Sequence, residues 1–191
     1  MIKHECGVAA VALKKSLEYY PRGGALYYLY IMLNQLQNRG EETCGFFSFN
    51  PERTRTLDGR KSLGLVNDVF YSKHPLKFHA IMNSYEGTRA TGHVRYATSG
   101  KSKTKKEWLD EAQPFYHRHC NPNKRFVLQW NGNITNYEEI GEYLRQHHGI
   151  FPETDVDTEL LMYLVEIGLD ELYNGNREPD YSEVIRKVQD K

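Results

Sequence analysis

Residues 43–49 read Thr43-Cys44-Gly45-Phe46-Phe47-Ser48-Phe49, TCGFFSF, and the fold turns on what this run becomes. Aromatic and β-branched residues bounded by charged and polar neighbours predict a strand. Upstream, GVAAVAL at 7–13 is a short apolar run that reads as a buried strand. Between the two, Ala25, Leu26, Leu29, Met32, Leu33 and Leu36 recur at helical spacing, which predicts an amphipathic helix over 24–38 that stops before Gly40. Downstream, ATGHVRYAT at 90–98 and RFVLQW at 125–130 read as two more strands. The stretch 135–149, TNYEEIGEYLRQHHG, starts with Thr135 or Asn136 as a cap, has Glu138 or Glu139 three on, and closes at Gly149. A further helix begins near Asp155–Glu159 and carries Leu160, Leu161, Leu164 and Val165 on one side. The lysine-rich 101–106 and the Asn/Pro-rich 121–124 read as loops, and the tail beyond Leu169 as a polar break followed by a short helix. Strands that follow one another with no helix between them argue for an α+β layered fold and against a doubly wound parallel sheet.

The bulk numbers narrow the function. A chain of 191 residues suits one sizeable domain. Lysine plus arginine equals aspartate plus glutamate at 25 each, so no global field favours nucleic acid or an anionic membrane surface. No apolar run has the length of a membrane span, and Met1–Glu5 has no hydrophobic signal region. Three cysteines, Cys6, Cys44 and Cys120, without CxxC spacing, read as reduced thiols in a cytoplasmic protein.

Four short stretches can carry chemistry: Cys6-Gly7, the segment Gly92–Thr98, Asn131-Gly132-Asn133, and Asp155–Glu159. Singly each has an ordinary reading: a small buried hydrophobe, an ion-paired strand arginine, a turn, a helix cap. Together they describe acyl transfer from an amino-acid amide. Cys6 can form a thioester. The side-chain amide of Asn131 and the backbone N–H of Gly132 can receive the oxyanion. Arg95 offers a planar fork to an α-carboxylate and Thr98 a hydroxyl, while Asp157 offers a carboxylate to an α-ammonium. Glutamine has that charge pattern. The run His117-Arg118-His119-Cys120 lacks a fourth ligand at zinc spacing and reads as a loop or strand edge. Lys101, Lys103, Lys105 and Lys106 read as a solvated loop.

The chain resembles the class II glutamine amidotransferases, whose glutaminase domain is an N-terminal-nucleophile hydrolase. The stretches that carry the likeness are KHECGVAAVAL (3–13), LNQLQNRGEETCGFF (33–47), GLVNDVF (64–70), TGHVRYATSGKS (91–102), AQPF (112–115), WNGNITNYEEI (130–140) and ETDVDTELL (153–161). They stand in the family's order. The resemblance implies a four-layer αββα sandwich, incomplete at the C-terminus of this chain. It makes Met1–Glu5 a propeptide and residues 6–191 a truncated glutaminase domain. Cys6 is then the nucleophile, with its own freed α-amine as base, and Arg39 an arginine beside it. Asn131 and Gly132 form the oxyanion hole, Arg95 and Thr98 hold the glutamine carboxylate, and Asp157 holds its amino group. The wording HVRYATSG and NGNITNY is similar to the branch that passes ammonia to phosphoribosyl pyrophosphate, giving 5-phosphoribosylamine for purine synthesis. Trp130 departs from the His that many relatives carry there.

The resemblance implies no cofactor or metal in this segment, with Mg2+ confined to a phosphoribosyltransferase domain or subunit as partner, and a homo-oligomer for the full-length enzyme. Two other readings stand beside it: a class II domain serving another acceptor, as in glutamate synthase or hexosamine-phosphate synthase, and a non-catalytic relative that binds a partner.

Overall fold

The computed structural model describes residues 6–96, 104–173 and 180–189. The chain divides into two compact units, Met1–Pro114 and Phe115–Lys191.

The first unit is built on a four-stranded antiparallel sheet. Its strands are β1 (Gly7–Ala12), β2 (Thr43–Phe49), β3 (Leu57–Leu63) and β4 (Arg89–Arg95), in the order β1-β4-β2-β3. Helix α1 (Ala25–Gln35) buries Ala25, Leu26, Leu29 and Leu33. It lies across the face of the sheet formed by Ala9, Cys44, Phe46, Ala90 and Val94, which share one core with it. The approach is close: a Cβ on Gly92 would stand 2.8 Å from Leu33 and 3.2 Å from Leu29. Leu36 packs against the same core, and a 3-10 turn at Gln37–Arg39 ends the helical run before Gly40, as the sequence predicts. Short α2 (Val66–Val69) and α3 (Pro75–Ser84) complete this side, with the Phe70 ring tilted against Phe46 at a centroid distance of 4.7 Å.

The opposite face is crossed by the segment that leads out of α4 (Lys105–Asp110). Lys61 donates to the Ala112 carbonyl at 2.6 Å. The sheet has no room for a side chain beneath this segment, since a Cβ on Gly45 would lie 2.1 Å from the Gln113 carbonyl. The Gln113-Pro114 bond at its end is cis.

The second unit holds a two-stranded antiparallel ribbon, β5 (Phe115–His117) with β6 (Phe126–Leu128). Its helices are α5 (Tyr137–Tyr143), α6 (Asp157–Leu172) and α7 (Tyr181–Gln189). Ile140, Leu144, Leu160 and Leu164 form one core between α5 and α6, and Val165, Leu169 and Val184 a second between α6 and α7. Gly149 closes the α5 run at φ +65°, after a π turn at Leu144–His148. In this left-handed position glycine carries no Cβ penalty.

Three expectations are corrected. Lys105 and Lys106 stand in the first turn of α4 and not in a loop, because Thr104 and Glu107 form a reciprocal capping box: Thr104 Oγ1 accepts from Glu107 N at 3.3 Å and Glu107 accepts from Thr104 N at 2.6 Å. Lys101 and Lys103 lie outside the described residues. The strand expected over 125–130 shrinks to Phe126–Leu128, since Arg125 turns its guanidinium to the carbonyls of His119 (2.6 Å) and Cys120 (3.3 Å). Asn136 is the residue before α5, yet its side chain makes no capping bond. Strand β3 and helices α2 and α3 occupy the connection that the sequence left unassigned.

Candidate active site

In the first unit the candidate residues meet at one end of the sheet. The β1/β4 register ends with Gly7 paired to Val94, so Cys6, the residue before β1, and Arg95, the last residue of β4, lie at the same end of the sheet. β4 is central, and on its other side Arg95 pairs with Thr43 of β2. Cross-strand partners share a face, so Arg95 and Thr43 project away from α1, on the face opposite Cys44 and Val94.

Cys6 is half-buried, and its thiol points at the Tyr96 carbonyl, 3.9 Å away. Arg39, from the turn after α1, donates Nε–H to the Cys6 carbonyl at 3.1 Å. The turn is held by Gln37, which donates to the Gly40 carbonyl at 2.5 Å and accepts from Val66 N at 2.7 Å. Gly40 lies flat on the backbone of Arg95: a Cβ there would come within 2.4 to 2.7 Å of the Arg95 C, O and N atoms. The NRG stretch thus binds the Cys6 backbone through one residue and the Arg95 backbone through the next. Gly7 shows the same economy, since a Cβ would meet Val94 at 2.8 Å and Leu36 at 3.0 Å.

The Arg95 side chain is not idle. Its Nη1 donates to the Glu111 carbonyl at 2.9 Å and its Nη2 to the Glu111 carboxylate at 2.7 Å. The guanidinium also lies 5.6 Å from the Trp108 ring centroid. Side-chain exposures of 16% and 8% make this a buried ion pair. Glu111 is absent from the sequence reading, and its signal was at hand, one residue before the AQPF stretch. Thr98 lies outside the described residues, as does Met1–Glu5. The other buried thiol differs in kind from Cys6: Cys44 is 1% exposed, and burial pushes its pKa up to about 12.

The second unit holds Asn131, Gly132 and Asp157. Asn131 and Gly132 are exposed in the loop that follows β6. Gly132 packs on the indole of Trp130, where a Cβ would fall within 2.6 to 2.9 Å of ring atoms. Asp157, the first residue of α6, accepts from the backbone N–H of Ile134 at 2.7 Å through Oδ2. Oδ1 has no hydrogen bond to a described residue. The same carboxylate therefore pins the end of the Asn-Gly-Asn loop through one oxygen, at a helix N-terminus that favours negative charge. The approach to α6 is tied down by Glu159, which accepts from Glu153 N (2.9 Å), Thr154 N (2.8 Å) and the Thr154 hydroxyl (2.5 Å). Tyr163 also donates to Glu159 at 3.4 Å, and burial followed by the charge of Glu159 pushes its pKa up to about 12.

Among the described residues no group of three or more His, Cys, Asp or Glu is placed to hold a metal. His119 Nδ1 accepts from Asn121 N at 2.9 Å, and His117 Nε2 lies 3.5 Å from a Glu166 carboxylate oxygen, so one ring is committed to a turn and the other lies beside an acid. No helix among the described residues is long and apolar enough to cross a membrane.

No protein-family model matches the chain. It is 34% identical over 161 residues to amidophosphoribosyltransferase from Haemophilus influenzae, an alignment that takes in 84% of this chain and 28% of that protein. It is 33% identical over 152 residues to the Escherichia coli K12 amidophosphoribosyltransferase, with 80% and 27% covered, and 34% identical over 164 residues to the chloroplastic amidophosphoribosyltransferase 3 of Arabidopsis thaliana, with 86% and 26% covered. The chain thus spans less than a third of the length of these relatives. The fold is similar to that of the glutamine phosphoribosylpyrophosphate amidotransferase from B. subtilis complexed with ADP and GMP, with a TM-score of 0.65 at 24% identity over 95% of this chain and 32% of that one.

Proposed function

The chain is a homologue of the amidophosphoribosyltransferases, and from that premise we propose that residues 6–191 act as a glutaminase domain that supplies ammonia to phosphoribosyl pyrophosphate in purine synthesis. The acceptor site belongs to a phosphoribosyltransferase domain or subunit, which would carry its own Mg2+, and the enzyme works in the cytoplasm. The two sheets are part of a four-layer αββα sandwich in this reading. Its main support is the end of the first sheet, where the Cys6 thiol faces the carbonyl of Tyr96, the residue after Arg95, and Arg39 donates to the Cys6 carbonyl.

The chemistry follows from what each residue offers. Removal of Met1–Glu5 frees the α-amine of Cys6, which takes the thiol proton. The thiolate sulfur attacks the side-chain carbonyl carbon of glutamine, and the oxygen gains the electron pair. Asn131 and the Gly132 N–H stabilise that charge, because fixed donors need no reorganisation as it develops. The C–N bond then breaks as the carbonyl re-forms, the protonated α-amine of Cys6 hands its proton to the departing nitrogen, and ammonia leaves a thioester on Cys6. Water, deprotonated by the same amine, cleaves the thioester to glutamate and restores the thiol. Arg95 and Thr98 hold the α-carboxylate, and the Asp157 oxygen not used by Ile134 takes the α-ammonium.

The test is direct. Chain beginning at Cys6 is expected to release ammonia from glutamine and to be alkylated at Cys6 by a glutamine-mimicking diazoketone. Folded protein with an N-terminal Cys6 that does neither would overturn the reading.

A further inference from the structure

We propose that Glu111 is a positioning residue for substrate binding: it holds Arg95 in the orientation that receives the α-carboxylate. The inference rests on the reading of Arg95 as the carboxylate contact.

A guanidinium has five N–H donors. Glu111 engages one on Nη1 through its carbonyl and one on Nη2 through its carboxylate, which leaves the Nε–H and one N–H on each terminal nitrogen for a ligand. Two bonds from one residue fix the plane of the fork as well as its place. Trp108 adds a third constraint at 5.6 Å. An arginine already ordered in the empty site loses little rotamer freedom when a ligand docks, so more of the contact energy appears as affinity.

The sequence around Glu111 supports the same role. It follows α4 directly, and the two residues after it are pinned to the sheet: Ala112 through Lys61, and Gln113 by its approach to Gly45. Glu111 is therefore carried by backbone that cannot drift. Its 8% side-chain exposure keeps water from replacing it as the partner of Arg95.

The experiment measures diazoketone alkylation of Cys6 in the chain with Met1–Glu5 removed, separating the half-saturation constant from the maximal rate. Neutral iodoacetamide reports Cys6 reactivity without a carboxylate to position. Arg95→Ala is expected to raise the half-saturation constant. Glu111→Ala is expected to raise it about tenfold with the maximal rate and the iodoacetamide rate unchanged, a loss typical of one charge-assisted hydrogen bond. Glu111→Gln keeps an acceptor for Nη2 and is expected to stay within about threefold of the parent. Glu111→Asp keeps the charge but shortens the reach, and is expected to behave like Glu111→Ala should that variant fail to fold. An unchanged constant in Arg95→Ala would remove the reading of Arg95 itself. A raised constant in Arg95→Ala beside an unchanged one in Glu111→Ala or Glu111→Asp would overturn the positioning role alone.

Discussion

Replacing Gly40 with alanine adds one methyl group at the point where the NRG turn rests on Arg95. The backbone there is extended, at φ −164° and ψ 132°, so any residue adopts it and no conformational strain enters. What remains is steric. The new Cβ would sit 2.4 Å from the Arg95 carbonyl carbon, 2.6 Å from its oxygen and 2.7 Å from its nitrogen. To reach ordinary contact the two segments must separate by about 1 Å, and neither is free to move: one is the central strand, the other carries Gln37 and Arg39. Overpacking of this kind costs about 1–3 kcal/mol. With a urea dependence of about 2 kcal/mol per molar, the midpoint of the first unit falls by about 0.5–1.5 M. The assay is urea unfolding followed by Trp108 fluorescence in a Trp130→Phe background, which leaves a single reporter in the first unit. The same shift moves Arg95 away from Cys6, so diazoketone labelling of Cys6 is expected to slow together with the loss of stability. A Gly40→Ala chain with an unaltered midpoint and unaltered labelling would refute the account of how the two residues are held together. Gly149→Ala is the matching control: nothing lies within 4 Å of its Cβ, but its φ of +65° is left-handed, so the cost is about 1 kcal/mol of backbone strain alone and falls in the second unit.

Removing the Asp157 carboxylate with alanine leaves the Ile134 N–H without its acceptor and is expected to destabilise the second unit by about 1–2 kcal/mol, read as faster hydrogen exchange at the Ile134 amide; Asp157→Asn, which keeps an acceptor, loses less. Alkylation mapped by mass at pH 8 is expected to modify Cys6 and exposed Cys120 while sparing Cys44, whose thiol burial raises to about 12. The second unit is also expected to weaken in acid. Burial holds the His117 pKa below its ordinary value, against the opposing pull of Glu166 and Asp170 and with the help of His119. The unfolded chain therefore takes up a proton that the folded one resists. Stability is full above the unfolded value near 6.5 and declines as the pH falls below it, by at most about 1.4 kcal/mol per pH unit. His117→Gln should flatten that part of a Trp130-monitored denaturation profile between pH 7 and 5.

The sequence made legible those elements whose side chains obey a period. β1, β2, β4 and α1 stand where small, aromatic or leucine residues recur every second or every third to fourth position. β3, LDGRKSL, has no such alternation: all seven residues are half-buried, and it is a strand because β2 offers it a full antiparallel ladder. Pairing of that kind is a tertiary fact. Helix α4 has a local signal in Thr104 followed by Glu107, a capping pair that outweighs the lysines around it. The candidate site divides in the same way. Cys6, Arg39, Arg95, Asn131, Gly132 and Asp157 are residue types whose chemistry is visible in isolation. What each is already bonded to is not, so neither the Glu111 clamp on Arg95 nor the Ile134 bond to Asp157 could be read before the chain was folded.

The thiol of Cys6 and the carbonyl it faces are 90 residues apart in the chain. β1 is the first strand in the chain order, yet among the described residues it pairs only with β4, the last strand of its sheet to appear. Helix α1 and the β2–β3 hairpin can form from local contacts, whereas the surroundings of Cys6 exist only once this longest loop has closed, at an entropic cost that local structure does not bear. The surroundings of Cys6 are therefore a product of long-range closure: the cysteine is present from the start of the chain, and its neighbours arrive only with the completed sheet.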